Sequence, residues 1–193
     1  MALEVRQLNE RQRRKKCKVC GEPFVTSRSL QVACSVPCSL EYVKRQKEKR
    51  LQKAQREARE KVKTRREILA QCQEAFNAYI RARDHRLPCV SCGRPNDGLH
   101  QRHAGHYRPV GSNPALRFHD DNCHAQCATC NNHLSGNLTA YRLTLIDRIG
   151  LERVEWLEGP HEPAKWEREQ LIEMRARFRK MAREANRALE GGR

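Results

Sequence analysis

From Leu40 to Asp84 the chain runs for 45 residues without a glycine or a proline. Ser39 stands before it as a candidate cap, and the pattern predicts one long helix. Between Lys44 and Arg66, small or apolar residues recur only at Leu51, Ala54, Ala58 and Val62. So thin a stripe suits a marginal self-association seam, not a strong coiled coil. In the second half Ile68, Leu69, Cys72, Phe76, Tyr79 and Ile80 form a better apolar face, which predicts packing on the module that follows. A further helical period begins after Gly159 and Pro160, with Leu171, Met174, Phe178, Met181, Ala185 and Leu189 in step. It predicts an amphipathic helix that covers a core or binds a subunit and turns arginines outward. Between these helices lies a segment of another kind, opened by the turn-rich "LPCVSCGRPNDG" and ending near "CATCNNHLSGNLTAYRLTLIDRIG". The 34 residues between Cys92 and Cys127 suit a two-stranded hairpin leading into a helix.

Composition limits how these pieces assemble. Only 38% of the 193 residues are hydrophobic and 5% aromatic, against 32% charged, which predicts small modules and solvated helices instead of one large core. The formal charge of +16 points to a polyanionic partner. It concentrates on the first half of the long helix, where Lys44, Arg45, Lys47, Lys49, Arg50, Lys53, Arg56, Arg59, Lys61, Lys63, Arg65 and Arg66 meet three acidic residues. A run of this kind is often only a solvated face, but its sign imbalance, with "RQRRKK" near the start, favours a surface turned towards phosphates. No run of about 18 apolar residues is present to span a membrane. "MALEVRQLNERQRRKK" lacks the apolar centre of a signal peptide, so the expected compartment is the cytosol.

Thiols stay reduced in that compartment, and ten cysteines there imply metal before disulfides. Eight fall into close pairs: Cys17 with Cys20, Cys34 with Cys38, Cys89 with Cys92, Cys127 with Cys130. Each pair can offer two thiolates to one tetrahedral ion, so the chain predicts two structural zinc sites of four cysteines each. Cys72 and Cys123 stand alone and are expected as small buried side chains.

The stretch from His103 to His133 holds five of the eight histidines. With the second zinc assigned to Cys89, Cys92, Cys127 and Cys130, the hairpin presents "AGHY", Asn122 ends the loop before the helix, and Asn131 follows the last cysteine. A histidine and two amides in this order, threaded through a knuckle-held hairpin and helix, resemble the HNH or His-Me finger nucleases. Phosphodiester hydrolysis needs a base for the attacking water and a cation to neutralise charge on the phosphate and the leaving oxygen. The resemblance implies His106 as the base, Asn122 as a residue that ties down the loop facing it, and Asn131 as an oxygen ligand for Mg2+ or Mn2+. Many HNH sequences place an aspartate just before the base, whereas Gly105 stands there here. Either His103 supplies the second ligand or Asn131 acts alone. His119, His124 and His133 are expected as loop or surface histidines.

Beyond the motif, "AGHYRPVGSNPALRFHDDNCHAQCATCNNHLSGNLTAYRLTLIDRIG", with "CKVCGEPF" and "CSVPCSLEYVKRQKEK", is similar to the NinG family of lambdoid phages. That resemblance implies an endonuclease that cuts branched recombination intermediates, Holliday junctions and D-loops, in the cytoplasm of a bacterial host. The expected fold is α+β: a zinc module over 1–40, a long basic helix over 41–86, a treble-clef-like ββα module over 87–150 and a helical segment over 151–193. Branched DNA is the expected partner, with no membrane association. Symmetric incision by a chain with one such site implies a homodimer. A zinc protein that only binds nucleic acid, and an HNH enzyme for linear DNA or RNA, are the competing readings.

Overall fold

The computed structural model describes residues 14–26 and 28–191, so the first half of "RQRRKK" lies outside the described residues. The chain divides into two compact units, Met1–Lys63 and Thr64–Arg193.

In the first unit, β1 (Arg14–Lys16) pairs antiparallel with β2 (Pro23–Val25). The turn between them is closed by the Gly21 N–H on the Cys17 carbonyl at 3.0 Å, with Gly21 at φ 80°. Helix α1 (Val36–Val62) starts between the members of the second cysteine pair, Cys34 before it and Cys38 in its first turn. Its cap is Ser35, whose Oγ accepts from the Cys38 N–H at 3.4 Å, and not Ser39, whose hydroxyl bonds back to the Ser35 carbonyl. Pro37 explains the earlier start. Its fixed φ and missing N–H suit a first helical turn, where that donor has no partner anyway. Among its described residues α1 buries no side chain, and Leu51, Ala54, Ala58 and Val62 are all exposed.

The predicted single helix is two. Lys63 turns extended at ψ 135°, and Thr64 starts α2 (Arg65–Arg83) with a capping box. Its backbone N–H donates to Glu67 Oε2 at 2.7 Å while its Oγ1 accepts from the Glu67 N–H at 3.3 Å. Two helix-end donors are thereby satisfied without glycine or proline. Lys44 to Lys61 of the basic set lie on α1, Lys63 caps it, and Arg65 and Arg66 open α2.

The second unit continues through the Cys89–Cys92 knuckle to β3 (Arg102–His106), which pairs antiparallel with β4 (Cys123–Cys127). His106 faces Cys123, Gly105 faces His124, and His103 faces Gln126 across the ladder. A wide π-type turn, Thr129–His133, leads to α3 (Leu138–Ile149), α4 (Leu151–Glu158) and α5 (Arg168–Glu190). Side chains alternate across a strand, so the hairpin has two faces. One lies on a core in which Ile68, Cys72, Phe76, Tyr79 and Ile80 of α2 meet Leu171, Phe178 and Ala182 of α5, with Phe118 and Cys123. Phe178 sets its ring edge-to-face with Phe76, centroids 5.0 Å apart. Helix α5 therefore covers the core, as one of its two expected roles required. A second core holds Val90, Tyr107, Leu116, Tyr141, Leu145, Val154 and Leu157, and the Tyr141 hydroxyl donates to the Gly105 carbonyl at 2.9 Å.

A polar clamp joins α2 to the hairpin. Asp84, 2% exposed, accepts the Ala125 N–H on Oδ2 at 2.8 Å, and Arg83 donates to the carbonyls of Cys123 and Asp120 at 2.8 and 3.1 Å. His124, expected in a loop or at the surface, is buried in β4 with Nδ1 3.1 Å from Arg83 Nη2. His119 caps a short 3-10 turn through Nδ1, and His133 is exposed. Among the described residues no helix is long and apolar enough to cross a membrane.

Candidate active site

The eight paired cysteines converge as two sets, Cys17, Cys20, Cys34 and Cys38 in the first unit and Cys89, Cys92, Cys127 and Cys130 in the second. In each set the four ligand atoms lie within 4.8 Å of one another. Backbone N–H groups of the first knuckle draw the Cys17 thiol down to about 6, while the neighbouring thiols of Cys20, Cys17 and Cys38 push Cys34 up to about 12. In the second set burial opposes ionisation of Cys89, yet the N–H groups of Cys92 and Cys127 bring it to about 7. Burial and the Cys92 thiol raise Cys130 to about 12. Four thiols held so close cannot ionise together without a cation between them, and this donor set fits tetrahedral zinc with no position left for chemistry. Cys72 and Cys123 belong to neither set and are buried in the first core.

His106 ends β3 on the face turned to α2, with its ring 6.0 Å from that of Phe76. Its Nε2 lies 2.9 Å from the Arg117 carbonyl, a pairing that makes Nε2 the protonated nitrogen and leaves the lone pair on Nδ1. Nδ1 looks at the buried Cys123 sulfur at 3.6 Å. Burial lowers the imidazole pKa below its ordinary 6.5, outweighing the carbonyl contact that raises it, so the ring is neutral at pH 7.

Asn122 is fully buried and devotes its amide to the loop between β3 and β4. Oδ1 accepts the Arg108 N–H at 2.8 Å, and Nδ2 donates to the Arg108 and Leu116 carbonyls, both at 3.1 Å. Leu116 is the neighbour of Arg117, whose carbonyl holds His106. Asn122 thus fixes the strap that orients the imidazole. It precedes β4, where the sequence pattern placed it at the end of the loop before a helix.

Asn131 lies on the other side of the hairpin. A Cβ built on Gly105 would stand 2.2 Å from Gln126 Oε1 and 3.1 Å from Asn131 Oδ1. No side chain fits there, which is the local reason for glycine. His106 and Asn131 were expected around one pocket, but Gly105 and His106 are consecutive in a strand and must point to opposite faces. The structure therefore groups Asn131 with Gly105, Gln126 and His103, and groups His106 with Asn122, Arg117 and Cys123. Gln126 Oε1 and His103 Nε2 are buried without a hydrogen-bond partner. Oxygen and imidazole donors of this kind fit a divalent cation such as Mg2+ or Mn2+. Gln126 and the Arg83–Asp84 clamp carried no local signal in the sequence, since their roles come from what the fold places beside them.

Comparison with known proteins agrees with the resemblance seen in the sequence. The family model described as Bacteriophage Lambda NinG protein matches residues 9–190. Protein ninG of Escherichia phage 933W is 37% identical over 183 residues, covering 86% of this chain and 90% of that protein. Protein ninG of Salmonella phage P22 and protein ninG of Escherichia phage lambda are each 36% identical over 185 residues, with the same coverage. No solved structure matches the chain. A match across nearly the whole length, including both cysteine sets and the hairpin between them, means that this chain belongs to the NinG family of bacteriophage proteins.

Proposed function

We propose that the chain is a metal-dependent endonuclease for branched DNA, with an HNH-type ββα module in its second unit. The observation that carries this reading is the run from Asn122 through the Leu116–Arg117 strap to His106. A buried amide commits all its hydrogen bonds to the β3–β4 loop, two to Arg108 and one to the Leu116 carbonyl, next to the Arg117 residue whose carbonyl holds a neutral imidazole. With Nε2–H committed, Nδ1 is the basic atom, and a water that replaces the weak Cys123 contact would give up its proton there. His106 is the last residue of the β3 ladder, so a phosphate lying across the strand end reaches the Asn131 side of the hairpin as well. A divalent ion bound on that side supplies charge neutralisation for the phosphate and the leaving oxygen.

The branched substrate rests on charge placement. The basic residues of α1 sit on a helix that buries nothing, so they grip phosphates without reading base edges. Surfaces separated along one chain gain when several duplex arms converge. A homodimer would bring two such sites to a junction. The burial of His106 is the one feature that favours the second reading, a zinc protein that binds nucleic acid without cutting it.

Incubating the full chain and its His106→Ala variant with a four-way junction or a matched linear duplex, with and without Mg2+, decides between them. Cleavage that requires Mg2+, prefers the junction and falls by about 10²- to 10⁴-fold in the variant, with binding retained, is the expected result. Because burial lowers the His106 pKa, the acid limb of the rate should lie below pH 6.5. Junction binding without any cutting would establish the second reading.

A further inference from the structure

The unpartnered oxygen of Gln126 is held where it is by its own amide nitrogen. Gln126 is 1% exposed, on β4, directly across the ladder from His103. Its Nε2 donates to Ser91 Oγ at 2.6 Å and to the Gly136 carbonyl. Ser91 Oγ itself donates to that same carbonyl at 3.0 Å, so the hydroxyl can only accept from Gln126. A flipped amide would set Oε1 against the Gly136 carbonyl oxygen, two acceptors in contact. The orientation is thereby fixed, and Oε1 has to face the empty side of Gly105. There it finds no donor, although a buried carbonyl oxygen left unpaired is destabilising.

Two amide oxygens and an imidazole nitrogen share this face. Gln126 Oε1 and Asn131 Oδ1 both lie within 3.1 Å of the point where a Gly105 Cβ would stand. Asn131 Nδ2 donates to Asn132 Oδ1 at 2.8 Å, which turns Oδ1 towards the glycine. His103 Nε2, two residues from Gly105 on the same side of the strand, is also buried and unpartnered. Two amide oxygens turned to one point repel one another unless a cation, a water or an N–H joins them. Neutral amide oxygens and an imidazole suit a hard or borderline divalent ion.

We infer that Gln126 is a ligand of the divalent cation, an amide oxygen from β4 that replaces the carboxylate absent at position 105. The glycine is then part of the site, since its missing side chain leaves the space into which the ligand from the facing strand reaches. The inference rests on the nuclease reading only for what the ion does, and binding of the ion can be measured without DNA.

The test is a titration of Mn2+ into the full-length, zinc-loaded protein, followed by loss of the free-ion paramagnetic resonance signal. Wild type should take up Mn2+, Gln126→Ala should weaken that binding by about tenfold or more, and Gln126→Glu, of the same size but charged, should tighten it. Zinc content and helical signal establish that each variant is folded, and should the alanine variant lose zinc, the glutamate variant decides. Equal Mn2+ affinity in wild type and Gln126→Glu, or no uptake by wild type, would overturn the inference and leave Oε1 facing a structural water. Wild type that binds Mn2+ through Gln126 yet leaves junctions uncut would sink the nuclease reading and keep the site. Cleavage with Mn2+ affinity unaltered by Gln126→Glu would do the reverse.

Discussion

Each unit carries one set of four cysteines built from two close pairs, yet the two sets are supported in opposite ways. In the second unit Cys89, Cys127 and Cys130 are at most 2% exposed, and two apolar cores flank the hairpin that delivers them. In the first unit Cys20 and Cys34 are exposed, and the 27-residue helix α1 buries nothing. The 19-residue α2 buries seven side chains. One motif thus does two jobs. Where a core exists, the cysteine cluster positions a site at its edge. Where none exists, the cluster is what folds the chain, because a short hairpin and a solvated helix cannot recover their ordering entropy from apolar burial.

The largest effect should come from stripping metal. Zinc binding in modules of this size carries about 10–16 kcal/mol of apparent free energy, all of it coupled to folding where no preformed structure remains. A strong chelator is therefore expected to unfold residues 14–62 completely while α2 and α5 keep their helical pairing. Amide spectra of the chelated protein, read unit by unit, would break the comparison if both units collapsed together or if the first one survived.

Next is Phe178→Ala. Phe178 is 1% exposed and contacts the rings of Phe76, Tyr79 and Phe118, so truncation should cost about 3–5 kcal/mol. Leu51→Ala on exposed α1 should stay within about 0.5 kcal/mol. Denaturant unfolding of the two variants measures the contrast directly, and a large loss at Leu51 would reveal a partner on that face.

These asymmetries were only partly legible in the sequence. Each cysteine pair is a local feature, and the convergence of both sets follows from knuckle geometry. The period of α5 was equally plain, because Leu171 and Phe178 repeat on one face. The break at Lys63–Thr64 was missed although its signal was present: Thr64 and Glu67 spell a capping box before Ile68 and Leu69, and the absence of glycine and proline hid it. Ser35 with Pro37 likewise marked the true start of α1. The site divides along the same line. The run of His106, Asn122 and Asn131 could be seen as a motif, but the strand alternation that sends His106 and Asn131 to opposite faces needs the register. The unpartnered oxygen of Gln126 needs Ser91 and Gly136, 35 and 10 residues away, to fix it.

A smaller effect belongs to the Arg83–Asp84 clamp, which has no counterpart described in the first unit. Burial opposes ionisation of Asp84, but hydrogen bonds from His124, Arg83 and the Ala125 N–H hold its carboxyl well below the ordinary 3.8. A carboxylate depressed in the folded state stabilises fully above its unfolded pKa, and that stabilisation is lost as pH falls through the lower, folded value. Asp84→Asn should cost about 2 kcal/mol near pH 7 and remove this acid dependence, since an amide keeps the shape and loses the charge. Unfolding midpoints measured between pH 7 and pH 2 check it, and parallel curves for wild type and variant would show that the clamp is not ionic.

The smallest effect on stability should accompany a clear effect on binding. Lys53 and Arg56 lie on exposed α1, and the ion pair of Lys53 with Glu57 is long at 3.9 Å. Exposed pairs of that kind contribute about 0–1 kcal/mol, so replacing both cations by glutamine should leave unfolding almost unchanged. Each phosphate contact, by contrast, releases counterions, and loss of two should reduce the slope of log affinity against log salt by about 1.8 on duplex arms. The same double change is expected to weaken junction and linear DNA in different proportion, because only the junction engages α1 together with a second basic surface. Equal weakening on both substrates would mean that α1 supplies general attraction alone. The branched preference would then have to come from the second unit, and the division of labour between a charged, coreless unit and a packed one would not extend to the choice of DNA.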